Sequence, residues 1–206
     1  HFFVVCHIAL RCIRCRTIYL CKFLILYMRQ LVAKIILFLV ILFLVDTALG
    51  ICFQTLVDSA KGGETRRVNY ICKQTSEDLL IFGSSRALHH YDPLLLEDSL
   101  QMSCYNCGKD GNGIILLYGW FKMIQQRYHP QMIVYDVMPN FDLWKGDNMA
   151  YLPGLRYYYG EPAVDSIFWS VDKNERFKMM VQSYRFNSQF LQIMMDNIKP
   201  LRKNIN

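Results

Sequence analysis

Histidine is scarce in these 206 residues: His1, His7, His89, His90 and His129 are all of it, and none follows His129. Any serine or thiol nucleophile must draw an imidazole base from that short set or from residues outside this sequence. Metal-ligand spacing is equally thin. Cys12-x-x-Cys15 and Cys104-x-x-Cys107 each have the spacing of half a zinc site, yet no His-x-His and no second pair stands where a four-ligand site needs it. The cysteines read as scattered thiols, with a bridge from Cys72 to Cys104 or Cys107 left open for an oxidising compartment. No metal and no cofactor is assigned. The chain has no internal repeat and no low-complexity tract. No basic stripe interleaves with aromatics, so the net charge of +6 is not a nucleic-acid footprint. No small-x-small cleavage site follows the apolar stretch near the N-terminus, which argues against a cleaved signal peptide.

What is abundant is apolar side chain, 53% of the residues. A membrane segment accounts for that share. Residues 31–53 are nearly continuous in apolar side chains, and about 20 such residues cross the hydrocarbon core as a helix. Lys34 lies one turn in and can snorkel to the interface. Asp46 lies farther along and is expected near the opposite headgroups, where an acid costs least. Arg11, Arg14, Arg16, Lys22, Arg29 and Lys34 lie before or at the start of this stretch. That bias places the N-terminus in the cytoplasm and the remainder outside. The expected organisation has four parts. Residues 1–27 are either upstream sequence read through in frame, with Met28 as the natural start, or an N-terminal extension. Residues 28–53 are the transmembrane anchor. Residues 54–77, polar and glycine-containing around Lys61–Arg67, are a linker. Residues 78–206 are the folded domain.

Within that domain strand and helix patterns alternate. Residues 78–82, 101–105 and 131–138 read as strands. Residues 93–100 read as a helix with Asp92 as N-cap and Pro93 at its first position. Residues 114–128 read as a second helix, ended by Pro130. Alternation of this kind predicts an α/β fold with a parallel sheet covered on both faces. Sites in such sheets form at the carboxyl ends of strands, here the loops 83–90, 106–113 and 139–142. Toward the C-terminus, Phe177, Met180, Val181, Tyr184, Phe190 and Met194 recur at helical spacing and are expected to pack.

The stretch Leu79-Leu80-Ile81-Phe82-Gly83-Ser84-Ser85-Arg86 ends a buried strand on glycine and two hydroxyls. At a strand-to-helix turn, Ser84 or Ser85 is either a helix cap or a nucleophile. Arg86 either binds an anionic substrate or pairs with Asp92 or Glu97. His89 and His90 follow closely, as surface or packing residues or as auxiliary groups. Gly111 offers a backbone N–H clear of any side chain, and Asn140 a side-chain N–H, as an oxyanion hole requires. Asn140 fits a tight turn equally well.

Gly83-Ser84-Ser85 resembles block one of the SGNH/GDSL hydrolases. Asn106-Cys107-Gly108-Lys109-Asp110-Gly111 resembles block two, and Pro139-Asn140-Phe141-Asp142 loosely resembles block three. The combination, with His89-His90-Tyr91-Asp92-Pro93 and Cys104-Tyr105-Asn106, is most similar to membrane-anchored, extracytoplasmic SGNH-like proteins of Bacteroides-type bacteria over roughly residues 31–197. The resemblance implies a flavodoxin-like three-layer sandwich, incomplete here. It implies Ser85 as nucleophile, and an oxyanion hole of the Ser85 N–H, Gly111 and Asn140. Ser84, Arg86, His89 and His90 would be substrate or auxiliary groups. The Gly-x-Ser-x-Gly elbow of α/β-hydrolases fits less well, because here the serine follows the first strand.

The resemblance also implies a late Asp-x-x-His, which this sequence lacks. Either that block lies beyond the residues given, which would leave these residues alone with little or no catalysis, or His89 or His90 substitutes. Two functions follow as expectations. One is a cytoplasmic-membrane-anchored esterase or acyltransferase acting outside on acyl esters, O-acetyl groups of an envelope glycan among them. The other is a non-catalytic envelope scaffold. The expected partners are the lipid bilayer and that ester-bearing glycan, with no nucleic acid.

Overall fold

An apolar run of four residues ended by glycine has no wet face, as suits a central strand of a parallel sheet. In the computed structural model it is strand β1 (Leu79–Gly83), buried at every position. The structure describes the backbone of residues 2–143 and 152–198, and the side chains of residues 26–139, 142–143 and 152–198. β1 pairs in parallel with β2 (Cys104–Asn106) on one edge and with β3 (Met132–Asp136) on the other, giving the order β2-β1-β3. Leu79 stands opposite both Cys104 and Met132, and Gly83 opposite Asp136. The fold class is α/β with an open parallel sheet. β3 has no strand on its outer edge among the described residues, and Met132 and Ile133 are exposed there.

The chain divides into two units, His1–Val45 and Asp46–Asn206. Helix α1 (Phe2–Asp58) provides the first and opens the second. From Leu31 to Val45 every large apolar side chain is exposed, around the whole circumference. A helix apolar on all sides belongs in a core or a membrane, and Leu26–Asp58 is long and apolar enough to cross one.

Asp46 marks where α1 joins the second unit. Its carboxylate accepts the backbone N–H of Gln182 at 2.6 Å and of Ser183 at 3.0 Å, and the Ser183 hydroxyl. One turn on, a Cβ at Gly50 would meet Gln182 Cβ at 2.5 Å, so only glycine permits this approach. Val57 is fully buried. The last part of the expected anchor is therefore part of the folded domain.

Much of the expected linker is a helix. α2 (Gly63–Lys73) buries Thr65, Val68, Asn69, Ile71 and Cys72, and it packs against α5 (Ile114–Gln125). At 11 residues it is too short to hold alone, and its ends are capped from elsewhere. The Gly62 N-cap has no side chain to offer, and Asp196 accepts Thr65 N–H at 2.9 Å and Thr65 Oγ1 at 2.7 Å instead. At the other end the Arg127 guanidinium donates to the carbonyls of Cys72 at 3.1 Å and Thr75 at 2.9 Å. Cys72 O is one of the carbonyls a helix C-terminus leaves unpaired, and Thr75 lies just past the C-cap Gln74.

Two clusters flank β1, as period-two alternation requires. Leu80 and Phe82 join the larger one with α2, α5 and the C-terminal segments. Leu79 and Ile81 join Ala87 of α3 (Ser85–His90), with Leu96 of α4 (Pro93–Leu100) against them. Asp92 caps α4 through Leu94 N–H at 3.0 Å, with Pro93 at its first position. α4 ends at Gln101, which takes a left-handed φ of 55°, so the second strand starts later than expected. β3 is followed by α6 (Pro139–Asp142), a 3₁₀ stretch at Leu152–Tyr158, α7 (Pro162–Val171), α8 (Glu175–Lys178), a 3₁₀ turn at Ser183–Phe186 and α9 (Phe190–Ile198).

Of the expected C-terminal stripe, Tyr184 packs against the core and most of the rest does not. Phe177, Met180, Val181, Phe190 and Met194 are exposed, and Met179, Phe186 and Ile193 are buried in their place. The 3₁₀ turn and a left-handed Ser188 (φ 70°) break the helix and shift its phase.

Replacing Asp46 by alanine removes a carboxylate that orders two backbone amides. The expected cost is about 2 kcal/mol, seen in hydrogen exchange of the full chain as roughly thirtyfold faster exchange at Gln182 and Ser183.

Candidate active site

The loop after β2 is fastened to the end of β1. Cys107 N–H donates to Ile81 O at 2.7 Å and Lys109 N–H to Gly83 O at 3.0 Å, continuing the ladder past the strand. Asn106 organises the turn from inside. Its buried amide donates to Ala87 O at 2.8 Å and Tyr91 O at 3.0 Å, and its carbonyl accepts Gly108 N–H at 2.9 Å. Arg67 of α2 donates to the carbonyls of Asn106 and Gly108, both at 2.8 Å. Lys109 pairs with Glu64 of the same helix at 2.6 Å. Gly108 is required by contact: a Cβ there would lie 2.6 Å from Leu88 N, a backbone atom of α3. Gly111 has a left-handed φ of 64° and nothing within 4 Å of a would-be Cβ. It is the open tip of the loop.

At the end of β1, Gly83 has a φ of 151°, and a Cβ would meet Ala87 Cβ at 2.6 Å. That opens the strand into α3 without a spacer. Ser84 occupies the N-cap position, but its side chain makes no capping bond, and its Oγ is buried without a hydrogen-bond partner. Ser85 is the first helical residue and is exposed. Of the two hydroxyls, Ser85 is the one a substrate can reach.

Arg86 reaches across the sheet. Its guanidinium pairs with both carboxylate oxygens of Asp136, with Nε to Oδ2 at 2.7 Å, and donates to Val137 O at 2.9 Å. The expected partners are engaged elsewhere: Asp92 caps α4, and Glu97 accepts Cys104 N–H at 2.8 Å. Asp136 wins because parallel register places it at the same level as Gly83. The guanidinium holds the Asp136 carboxyl below the usual aspartate range.

The two histidines separate in role. His89 Nε2 lies 2.9 Å from Asp110 Oδ1 in the loop after β2. His90 lies within electrostatic reach of Asp136. Ser85 and His89 stand four apart on α3 and so share a face, with the later side chain leaning toward the earlier one. The turn after β3 is closed by Asp142, which accepts Met138 N–H at 2.8 Å and Tyr135 OH at 3.0 Å. Asn140 is in that turn by its backbone, and its side chain lies outside the described residues.

The structure thus gathers Ser84, Ser85, Arg86, His89 and the 107–111 loop at the end of β1. The roles of Asn106, Gly108, Asp110 and Asp136 were not legible beforehand. The one local signal was Asp136, a lone acid ending an apolar run. Three of the described thiols are not placed as nucleophiles. Cys72, Cys104 and Cys107 are free and buried. Burial pushes Cys72 up to about 12 and Cys104 up to about 11, and raises Cys107 as well. Cys104 and Cys107 fall in different clusters, one on each face of the sheet.

Two measurements probe this arrangement. Asp136 is depressed in the fold, so the stability it draws from Arg86 is present above the ordinary aspartate pKa near 3.9 and is lost as pH falls below it. Arg86→Gln is therefore expected to lower Tm at about pH 7, with the gap to the parent narrowing as pH falls below the ordinary aspartate value and closing once it passes the depressed one. Gly108→Ala is expected to cost about 1–3 kcal/mol by overpacking against α3, read by denaturant unfolding.

Compared with protein-family models, with curated proteins and with solved structures, the chain matches none.

Proposed function

We propose that this chain is a membrane-anchored, SGNH-like serine esterase or acyltransferase of the cell envelope, acting on acyl esters such as O-acetyl groups of a glycan. The observation that carries the reading is the exposed Ser85 at the end of the central parallel strand, with a glycine loop hydrogen-bonded to that same strand end. Helices on both faces of a parallel sheet are also what a flavodoxin-like three-layer sandwich of SGNH type requires, and the outer edge of β3, unpaired among the described residues, accords with a longer sheet of that kind. The apolar helix is the anchor, and the positive residues preceding it favour a domain outside the cytoplasmic membrane.

In the proposed reaction Ser85 Oγ attacks the ester carbonyl, and its proton passes to an imidazole. The Ser85 N–H, Gly111 and Asn140 hold the oxyanion. The tetrahedral intermediate collapses with loss of the protonated alcohol, and water or an acceptor hydroxyl then takes the acyl group from Ser85. Among the described histidines His89 suits the base best, since a carboxylate orients it as a base requires. An Asp-x-x-His outside these residues would serve the same role. Arg86 is committed to Asp136 and acts in this scheme by positioning the serine turn rather than by binding an anion.

A fluorophosphonate probe applied to the full chain in lipid nanodiscs tests the reading. Ser85 is expected to be labelled, as mapped by peptide mass spectrometry, and Ser85→Ala to abolish labelling. An unlabelled Ser85, with no ester hydrolysis, overturns His89 as the base and returns these residues by themselves to the scaffold alternative.

A further inference from the structure

Exposed apolar side chains on a folded domain mark a partner when they are contiguous. One such group stands at the base of the anchor. Phe177 is 69% exposed, Met180 73% and Val181 49%, within one short segment. That segment is tied to α1 at its next residues, since Gln182 and Ser183 donate their backbone N–H groups to Asp46. N-terminal to Asp46, α1 continues at once into the fully exposed apolar stretch that ends at Val45. The group therefore lies beside the point where the chain enters the bilayer, if α1 is the anchor. The inference rests on that part of the proposed function and on no part of the chemistry.

The charges around the group have the sign an interface favours. Lys173 and Arg176 are exposed, and Arg176 stacks over the half-exposed Trp169 at 5.6 Å. The acids of the segment are turned inward or spent. Glu175 is buried against Arg156, Tyr184 and Lys178, and Asp172 pairs with Lys178 at 3.1 Å. What remains outward is aromatic, apolar and cationic, the composition that lies in the headgroup region with its apolar side chains dipped below it. Anionic lipid adds to the attraction through Lys173 and Arg176.

We infer that the segment around Phe177, Met180 and Val181 is a second membrane contact, which rests the domain on the surface of the bilayer that anchors it.

The test uses the full chain in vesicles of phosphatidylcholine and phosphatidylglycerol, with acyl chains either plain or brominated, since bromine quenches indole only within the membrane. Phe177→Trp adds a reporter to the segment, and Leu95→Trp adds one on α4, an exposed apolar position on the other face of the sheet. Each is read as the difference from the parent. The added emission of Phe177→Trp is expected to fall roughly twofold or more in brominated vesicles, and that of Leu95→Trp to stay unchanged. Equal emission of Phe177→Trp in both vesicles, with the chain resisting alkaline extraction, overturns the membrane contact and leaves the anchor standing. Equal quenching of both reporters also overturns it, because the contact is then not specific to this segment. Release of the chain by alkaline extraction overturns the anchor, and the second contact with it.

Discussion

Everything in the domain depends on β1 having neither a free edge nor a wet face. Both its edges carry parallel partners, and its two faces feed two separate clusters. A parallel strand so enclosed must deliver its last residue to the one place where backbone groups are still open, the carboxyl end. That geometric necessity puts Gly83 and the serine pair there, and it brings the ends of β2 and β3 to the same level. The Arg86–Asp136 pair and the Lys109–Gly83 bond are consequences of register, linking three strand ends that are far apart along the chain.

The polar groups around this end are organised by borrowed partners. Asn106 serves three backbone groups on two elements. Arg67 and Arg127 each satisfy carbonyls on segments about 40 to 55 residues away, and Asp196 caps a helix 131 residues earlier. Buried or half-buried amides and guanidiniums of this kind are strongly determining, because leaving one partner unpaired costs more than the bond itself returns. They fix where the 106–113 loop meets α3, and so where Gly108 and Asp110 stand relative to Ser85 and His89. The same logic governs the base of α1. There Asp46 accepts backbone donors rather than facing lipid, and Gly50 admits the segment that supplies them.

Local chemistry made part of this legible in advance. The apolar run into Gly83 announced a central strand, Asp92-Pro93 announced the start of α4, and the apolar residues of 31–45 announced a helix suited to lipid. In each case the signal is carried by neighbours in sequence. The same holds for the candidate nucleophile, where glycine and two hydroxyls at a strand end narrow the choice to Ser84 or Ser85. Burial of one and exposure of the other came only with the fold.

α2 shows the limit most clearly. Its residues are polar, it is short, and Gly62 offers no cap, so by itself it reads as a linker. It is a helix because Asp196 and Arg127 cap it from a distance and α5 covers its apolar side. Most of the C-terminal stripe fails in the opposite sense, since its periodicity is real but a 3₁₀ turn and Ser188 shift the phase and leave all but Tyr184 largely outside. The pairing of Arg86 follows the same rule, for parallel register, not proximity along the chain, chose Asp136. Sequence alone determined which segments had to be strands, where the chain had to turn, and which stretch suited a membrane, because those depend on neighbouring side chains and backbone propensity. Tertiary structure alone decided which polar groups met, which hydroxyl faced solvent and which apolar face stayed uncovered, because those depend on contacts between residues that only the fold brings together.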